Sequence, residues 1–89
     1  MMRISVVRSS GQTVTLRVEG EIKGRWVEEL RRVSEEFLSR QTGLILDLAG
    51  VTLIDEDGIA LFAVLKDRHV IFSNPTMFIE EQLRASTKG

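Results

Sequence analysis

Three consecutive acids, Asp55-Glu56-Asp57, followed by Gly58, are the residues of this chain best placed to do chemistry. They stand between an apolar pair, Leu53-Ile54, and a run from Ile59 to Leu65 that carries no polar side chain. The pattern places the acids at a joint between a strand and a helix. Helix starts hold unpaired N–H groups and positive potential, so anions are stabilised there. Asp57 therefore has a structural reading as a helix cap, for which aspartate is among the best residues. It also has a functional one, because three acids exceed what a cap needs. Asp55 reads as a loop-ordering aspartate bonded to nearby backbone. Oxygen ligands suit magnesium or calcium, but adjacent residues in a tight loop rarely converge on one ion. The expectation is no metal.

The other candidates are weaker. His69 is the only histidine and falls in a polar turn, Lys66-Asp67-Arg68-His69, without a serine or carboxylate predicted beside it. Lys23-Gly24-Arg25 could meet a phosphate at a helix start. Trp26 lies on an apolar stripe and reads as core. No phosphate-binding glycine loop, nucleophile elbow or paired acids are present, so the chain is expected not to be an enzyme. It has no cysteine, which removes disulfides and thiolate chemistry. Twelve basic residues against thirteen acids give a net charge of -1, so nothing suggests a nucleic-acid footprint. The apolar runs fall far short of the roughly 20 residues of a membrane span, and Met1-Met2-Arg3-Ile4 lacks a signal-peptide core. No membrane insertion and a cytoplasmic location are expected.

The elements that must position the acids follow from periodicity. With 89 residues, 43% hydrophobic and 28% charged, the chain reads as one globular domain. Ile4–Val7 and Thr13–Glu19 read as two strands of a hairpin, linked through Arg8-Ser9-Ser10-Gly11-Gln12; the second alternates Val14, Leu16 and Val18 against Thr15 and Arg17. Gly20 to Gly24 reads as a bend out of the sheet. Arg25–Arg40 has the strongest helical pattern, with Trp26, Leu30, Val33 and Phe37 on one stripe, Val27 and Leu38 widening it, and Gly43 as its stop. Its outer face, Glu29, Arg32, Glu36 and Arg40, is spaced for weak i to i+4 pairs. Leu44-Ile45-Leu46 reads as a buried strand, followed by a bend at Ala49 to Thr52. The Gly58–Lys66 helix reads as buried on most sides. Val70-Ile71-Phe72 is a short strand. Pro75-Thr76 opens a last helix, with Met77, Phe78, Ile79 and Leu83 inward and Ala85 to Gly89 as a frayed tail. The fold class is α/β, order β-β-α-β-α-β-α: a mixed sheet with an N-terminal hairpin, parallel central strands and helices packed on it.

That order, together with Asp47-Leu48, Gly50-Val51, Ile54-Asp55-x-x-Gly58-Ile59 and the turn at Gly20-Glu21-Ile22, resembles the STAS family of sulfate transporters and anti-sigma-factor antagonists. The resemblance implies a non-catalytic protein-interaction module without a cofactor, binding through Asp55, Glu56, Asp57 and Gly58, with Thr52, Ile59 and Phe62 flanking. In bacterial members the residue before the glycine is often a serine or threonine phosphorylated by a kinase that doubles as the anti-sigma factor. Here that position is Asp57 and the one before it Glu56, neither of which takes such a phosphate. The partner implied is an anti-sigma factor or serine kinase. The alternatives are a soluble STAS subunit of a membrane transporter, or a sensor with weak nucleotide or lipid binding. A homodimer is also compatible with the resemblance.

Overall fold

The computed structural model describes residues 1–86. Seven elements follow the expected order: β1 (Met2–Ser10), β2 (Thr13–Ile22), α1 (Arg25–Ser39), β3 (Gly43–Ile54), α2 (Glu56–Asp67), β4 (Ile71–Ser73) and α3 (Met77–Ser86). They form one four-stranded sheet in the order β1-β2-β3-β4. The β1–β2 pair is antiparallel, while β2–β3 and β3–β4 are parallel.

The hairpin is longer than its alternation suggests. Ladder pairing runs on to Ser10 and Thr13, and only Gly11 and Gln12 are left to turn. Gly11 makes this turn at φ +59, a region that costs glycine little. β1 holds a bulge between Val6 and Arg8. β2 does not leave the sheet at Gly20. That residue kinks at φ +95, where a side chain would collide with the Met1 carbonyl, and Glu21 and Ile22 go on pairing with Leu53 and Ile54.

The first helix also ends differently. Gln41, at φ +60, takes the left-handed stop position, and the Thr42 N–H closes the turn on the Phe37 carbonyl at 3.2 Å. Gly43 instead opens β3, with its N–H on the Gln12 carbonyl at 2.7 Å. The ion pairs on the outer face fall at i, i+3 (Glu28–Arg31 and Glu29–Arg32) rather than i, i+4. β3 then runs unbroken for 12 residues. The expected bend at Ala49 to Thr52 does not break the pairing, because Gly50, Val51 and Leu53 keep partners in β2. It appears instead as two register shifts, between Asp47 and Gly50 and between Val51 and Leu53, each adding one residue to β3.

Val14, Leu16 and Val18 of β2 and Leu44, Leu46 and Leu48 of β3 form the floor of the core. Val27 and Leu30 of α1, Leu61, Phe62 and Leu65 of α2, and Ile79 of α3 cover them from one side. The stripe of α1 is turned from the expected one: Val27, Leu30 and Ser34 are buried, whereas Trp26, Val33 and Phe37 are half-buried on its flank. α2 is not buried on most sides. Ala60, Ala63 and Val64 face solvent, since in a two-layer domain only one side of a helix meets the sheet. In α3, Thr76 is the cap, receiving the Ile79 N–H, and Pro75 lies one residue outside it. Met77 and Phe78 are exposed rather than core. Ala85 is helical; the rest of the expected tail, 87–89, lies outside the described residues.

Candidate functional site

β3 and α2 meet at Asp55, and the geometry assigns each acid its own task. Asp55, with extended backbone, is the cap of α2. Its Oδ1 accepts the Gly58 N–H at 2.8 Å, and its Oδ2 accepts the Gly24 N–H at 3.0 Å from the turn before α1. Its own N–H donates to the Ile22 carbonyl at 3.0 Å. The capping role expected of Asp57 therefore belongs to Asp55. A cap must precede the first helical residue, and Glu56 already has helical backbone. The Gly24 N–H, followed by that of Gly58, holds the Asp55 carboxyl below the usual aspartate range. Partial burial opposes them, and the Asp57 N–H and the nearby Lys23 charge add smaller effects in the same direction as the first two.

Glu56 and Asp57 occupy the first turn of α2 with side chains exposed to water. The helix dipole favours both there, yet neither makes an ion pair among the described residues. They are the free negative charge of the joint.

Gly58 is buried under the joint. A Cβ on it would lie 2.6 Å from Ile54 Cγ2 and 3.2 Å from both Ile22 Cγ2 and the Ile22 carbonyl. Helix propensity alone favours alanine by about 1 kcal/mol at such a position. Overpacking costs about 1–3 kcal/mol, and all three neighbouring atoms belong to strand residues, one of them a backbone carbonyl that cannot withdraw cheaply. Gly58→Ala is expected to lower stability by a net of about 0–2 kcal/mol in urea titration. A variant more stable than the parent would show that propensity wins.

The flanking residues divide. Thr52 is exposed on β3, and Ile59 is half-buried. Phe62 is 1% exposed and stacks on Phe72 at a centroid distance of 4.8 Å, so it supports the surface from below and does not belong to it. Ala60, Ala63 and Val64 take its place. They were hidden among core residues because an apolar run shows no polar side from which to read a face. The expected phosphate contact at Lys23-Gly24-Arg25 is occupied, since the Gly24 N–H is held by Asp55. Lys23 pairs with Glu21 at 3.4 Å, and the Arg25 guanidinium lies over Trp26. His69 is exposed, with its φ of +68 ending α2. Among the described residues no three acidic or histidine side chains converge on a metal position. No described helix is long and apolar enough to cross a membrane.

A sheet covered by helices on one face, with a capped, glycine-packed joint between β3 and α2, defines a STAS-type α/β domain. The chain belongs to that family: residues 5–85 match the family described as "Mlab, STAS domain". Among solved structures it is similar to the anti-sigma factor antagonist SpoIIAA in its unphosphorylated form, with a TM-score of 0.73. The two are 18% identical over 92% of this chain and 82% of that one, a likeness of fold. Comparison with curated proteins finds no match.

Proposed function

We propose that the chain is a non-catalytic protein-interaction module of the anti-sigma factor antagonist kind, acting without a cofactor in the cytoplasm. It binds its protein partner through Glu56, Asp57 and the outer face of α2, with Asp57 at the position that carries the phospho-acceptor in the family. The observation that carries this reading is the division of labour at the joint. Asp55 spends both carboxylate oxygens on backbone, so Glu56 and Asp57 project from a fixed helix start beside exposed Ala60, Ala63 and Val64. A rigid patch with small apolar residues at its centre and charge at one end suits a protein surface.

The test is a titration against a kinase-type anti-sigma factor, comparing the parent with the Glu56→Ser, Asp57→Ser double variant at two salt concentrations. If the acids are the recognition feature, the double variant binds roughly three- to tenfold more weakly and added salt weakens the parent complex. Stronger binding by the serine variant would instead make Asp57 an imitation of the phosphorylated, non-binding state. Unchanged binding would leave both acids as dipole partners of the helix only.

One observation favours a second reading, a subunit of a membrane transporter. The charge of Glu56 and Asp57 is permanent, whereas a phosphate comes and goes, and permanent charge fits a constitutive assembly. Stoichiometric co-purification with a transporter ATPase, and none with a kinase, would decide for it.

A further inference from the structure

Away from α2, the edge strand β1 and the flank of α1 enclose a groove of about 340 Å³. Its walls are Ile4 and Val6 on the strand, Trp26, Val33 and Phe37 on the helix, with Leu16 beneath. Val6 is 59% exposed, and the two aromatic rings are only half-buried. Glu29, also along the groove, is held by Arg32 at 2.6 Å.

β1 is paired on one side only, by β2. The Met1 carbonyl accepts the Glu21 N–H, which fixes the phase of the antiparallel ladder. Alternation along that register turns the backbone groups of Arg3 and Ser5 towards β2 and those of Ile4 and Val6 outward. The two residues that offer free backbone groups therefore also line the groove with their side chains. On the opposite face of the strand stand Arg3 and Arg8, both exposed and without an ion pair among the described residues.

We infer that this edge is a second binding site, independent of the acidic joint, for an extended segment of a protein partner that alternates apolar and acidic residues. The segment adds as a strand beside β1. Its main chain bonds to Ile4 and Val6, its apolar side chains enter the groove, and its acids meet Arg3 and Arg8. Strand addition between a sheet edge and a helix draws affinity from the backbone and specificity from alternate side chains. The charges decide the occupant. A second copy paired antiparallel through β1 would bring Arg3 of one chain near Arg8 of the other, and like charges across a ladder are unfavourable. The bulge at Val7 confines the regular ladder to the stretch from Met2 to Val6, so the segment is short and meets Arg8 by side chain alone, just past the last ladder bond.

Trp26, the only tryptophan, reports directly on the groove. An eight-residue synthetic peptide alternating valine and glutamate is titrated against the full chain while Trp26 emission is followed. Saturable binding with a blue shift is expected, together with slowed hydrogen exchange at the Ile4 and Val6 amides but not at Arg3 and Ser5. A valine–lysine peptide should bind roughly tenfold more weakly, and Arg3→Glu, Arg8→Glu should reverse that preference. Val6→Pro removes an outward N–H and is tolerated on an edge strand, so it should abolish binding while leaving the melting temperature close to the parent's. The inference is overturned by unchanged Trp26 emission up to millimolar peptide, or by equal binding of the two peptides. Self-association lost in Val6→Pro would also overturn it, because the occupant would then be a second copy.

Discussion

Asp55→Ala is expected to destabilise the domain by about 2–4 kcal/mol, an amount that a cap alone does not reach. Losing an aspartate cap costs about 0.5–2 kcal/mol. Here the same carboxylate also holds the Gly24 N–H across 31 residues of chain, and a hydrogen bond to a charged group adds about 1.5–3 kcal/mol before allowance for solvent. Asp55→Asn keeps an acceptor for one of the two N–H groups and should recover about half of the loss. The pH dependence carries a sign. The folded-state pKa lies below the ordinary aspartate value, so the stabilisation is complete above about pH 4–5 and is lost as pH falls through the folded value. Urea titrations across pH 2–7 should therefore show a shallower acid loss in Asp55→Ala than in the parent. Equal acid sensitivity would mean that the Gly24 and Gly58 bonds contribute nothing.

Phe62→Ala is expected to cost about 3–5 kcal/mol, the largest effect of any single substitution at or under the joint. The ring is 1% exposed and packs nearly parallel to Phe72, which joins α2 to the short edge strand β4. β4 holds only three residues, so little else could compensate. Phe72→Ala should cost less, because that ring is only half-buried. The double variant should fall short of the sum by about 0.5–1.5 kcal/mol, the coupling typical of an aromatic pair. Strict additivity in chemical denaturation would show that the rings pack independently. Leu61→Ala and Leu65→Ala, each also 1% exposed, should fall near 2–5 kcal/mol. Near-parental melting in all of these variants would reject the buried face of α2.

Much of this arrangement was legible in the residues themselves. The alternation of Val14, Leu16 and Val18 and the stripe from Trp26 to Phe37 are local patterns. They placed α1 within a residue and the start of β2, whose end lies three residues beyond the expected Glu19. The family resemblance carried by Ile54-Asp55-x-x-Gly58 located the joint. What stayed hidden depends on pairing partners. Gly20 and Gly50 look like turn residues, yet both lie in strands because their neighbours keep bonding to β3 and β2. The stop of α1 fell on Gln41, since a favourable tertiary position can carry a non-glycine residue into the left-handed region. Asp55 and Asp57 could not be told apart as caps by type. What separates them is where α2 starts, with Asp55 ahead of Glu56 and bonded to the Gly58 N–H. Its further bond to Gly24 crosses 31 residues, a contact that no local pattern encodes. The small exposed face of α2 was missed for the opposite reason: alanine is compatible with either side of a helix.

The two edges of the sheet are unequal, and that inequality sets a valence. β1 offers nine residues, whereas β4 offers three, and beyond it the β3 edge is met by α3, whose Gln82 amide donates to the Ile54 carbonyl at 3.4 Å. A sheet that grows into a fibre needs two competent edges, one to receive and one to pass on. This one can accept a strand at β1 and cannot hand the chain of pairing onward through β4. Any addition there stops after one step, so crowding many copies together yields no extending polymer.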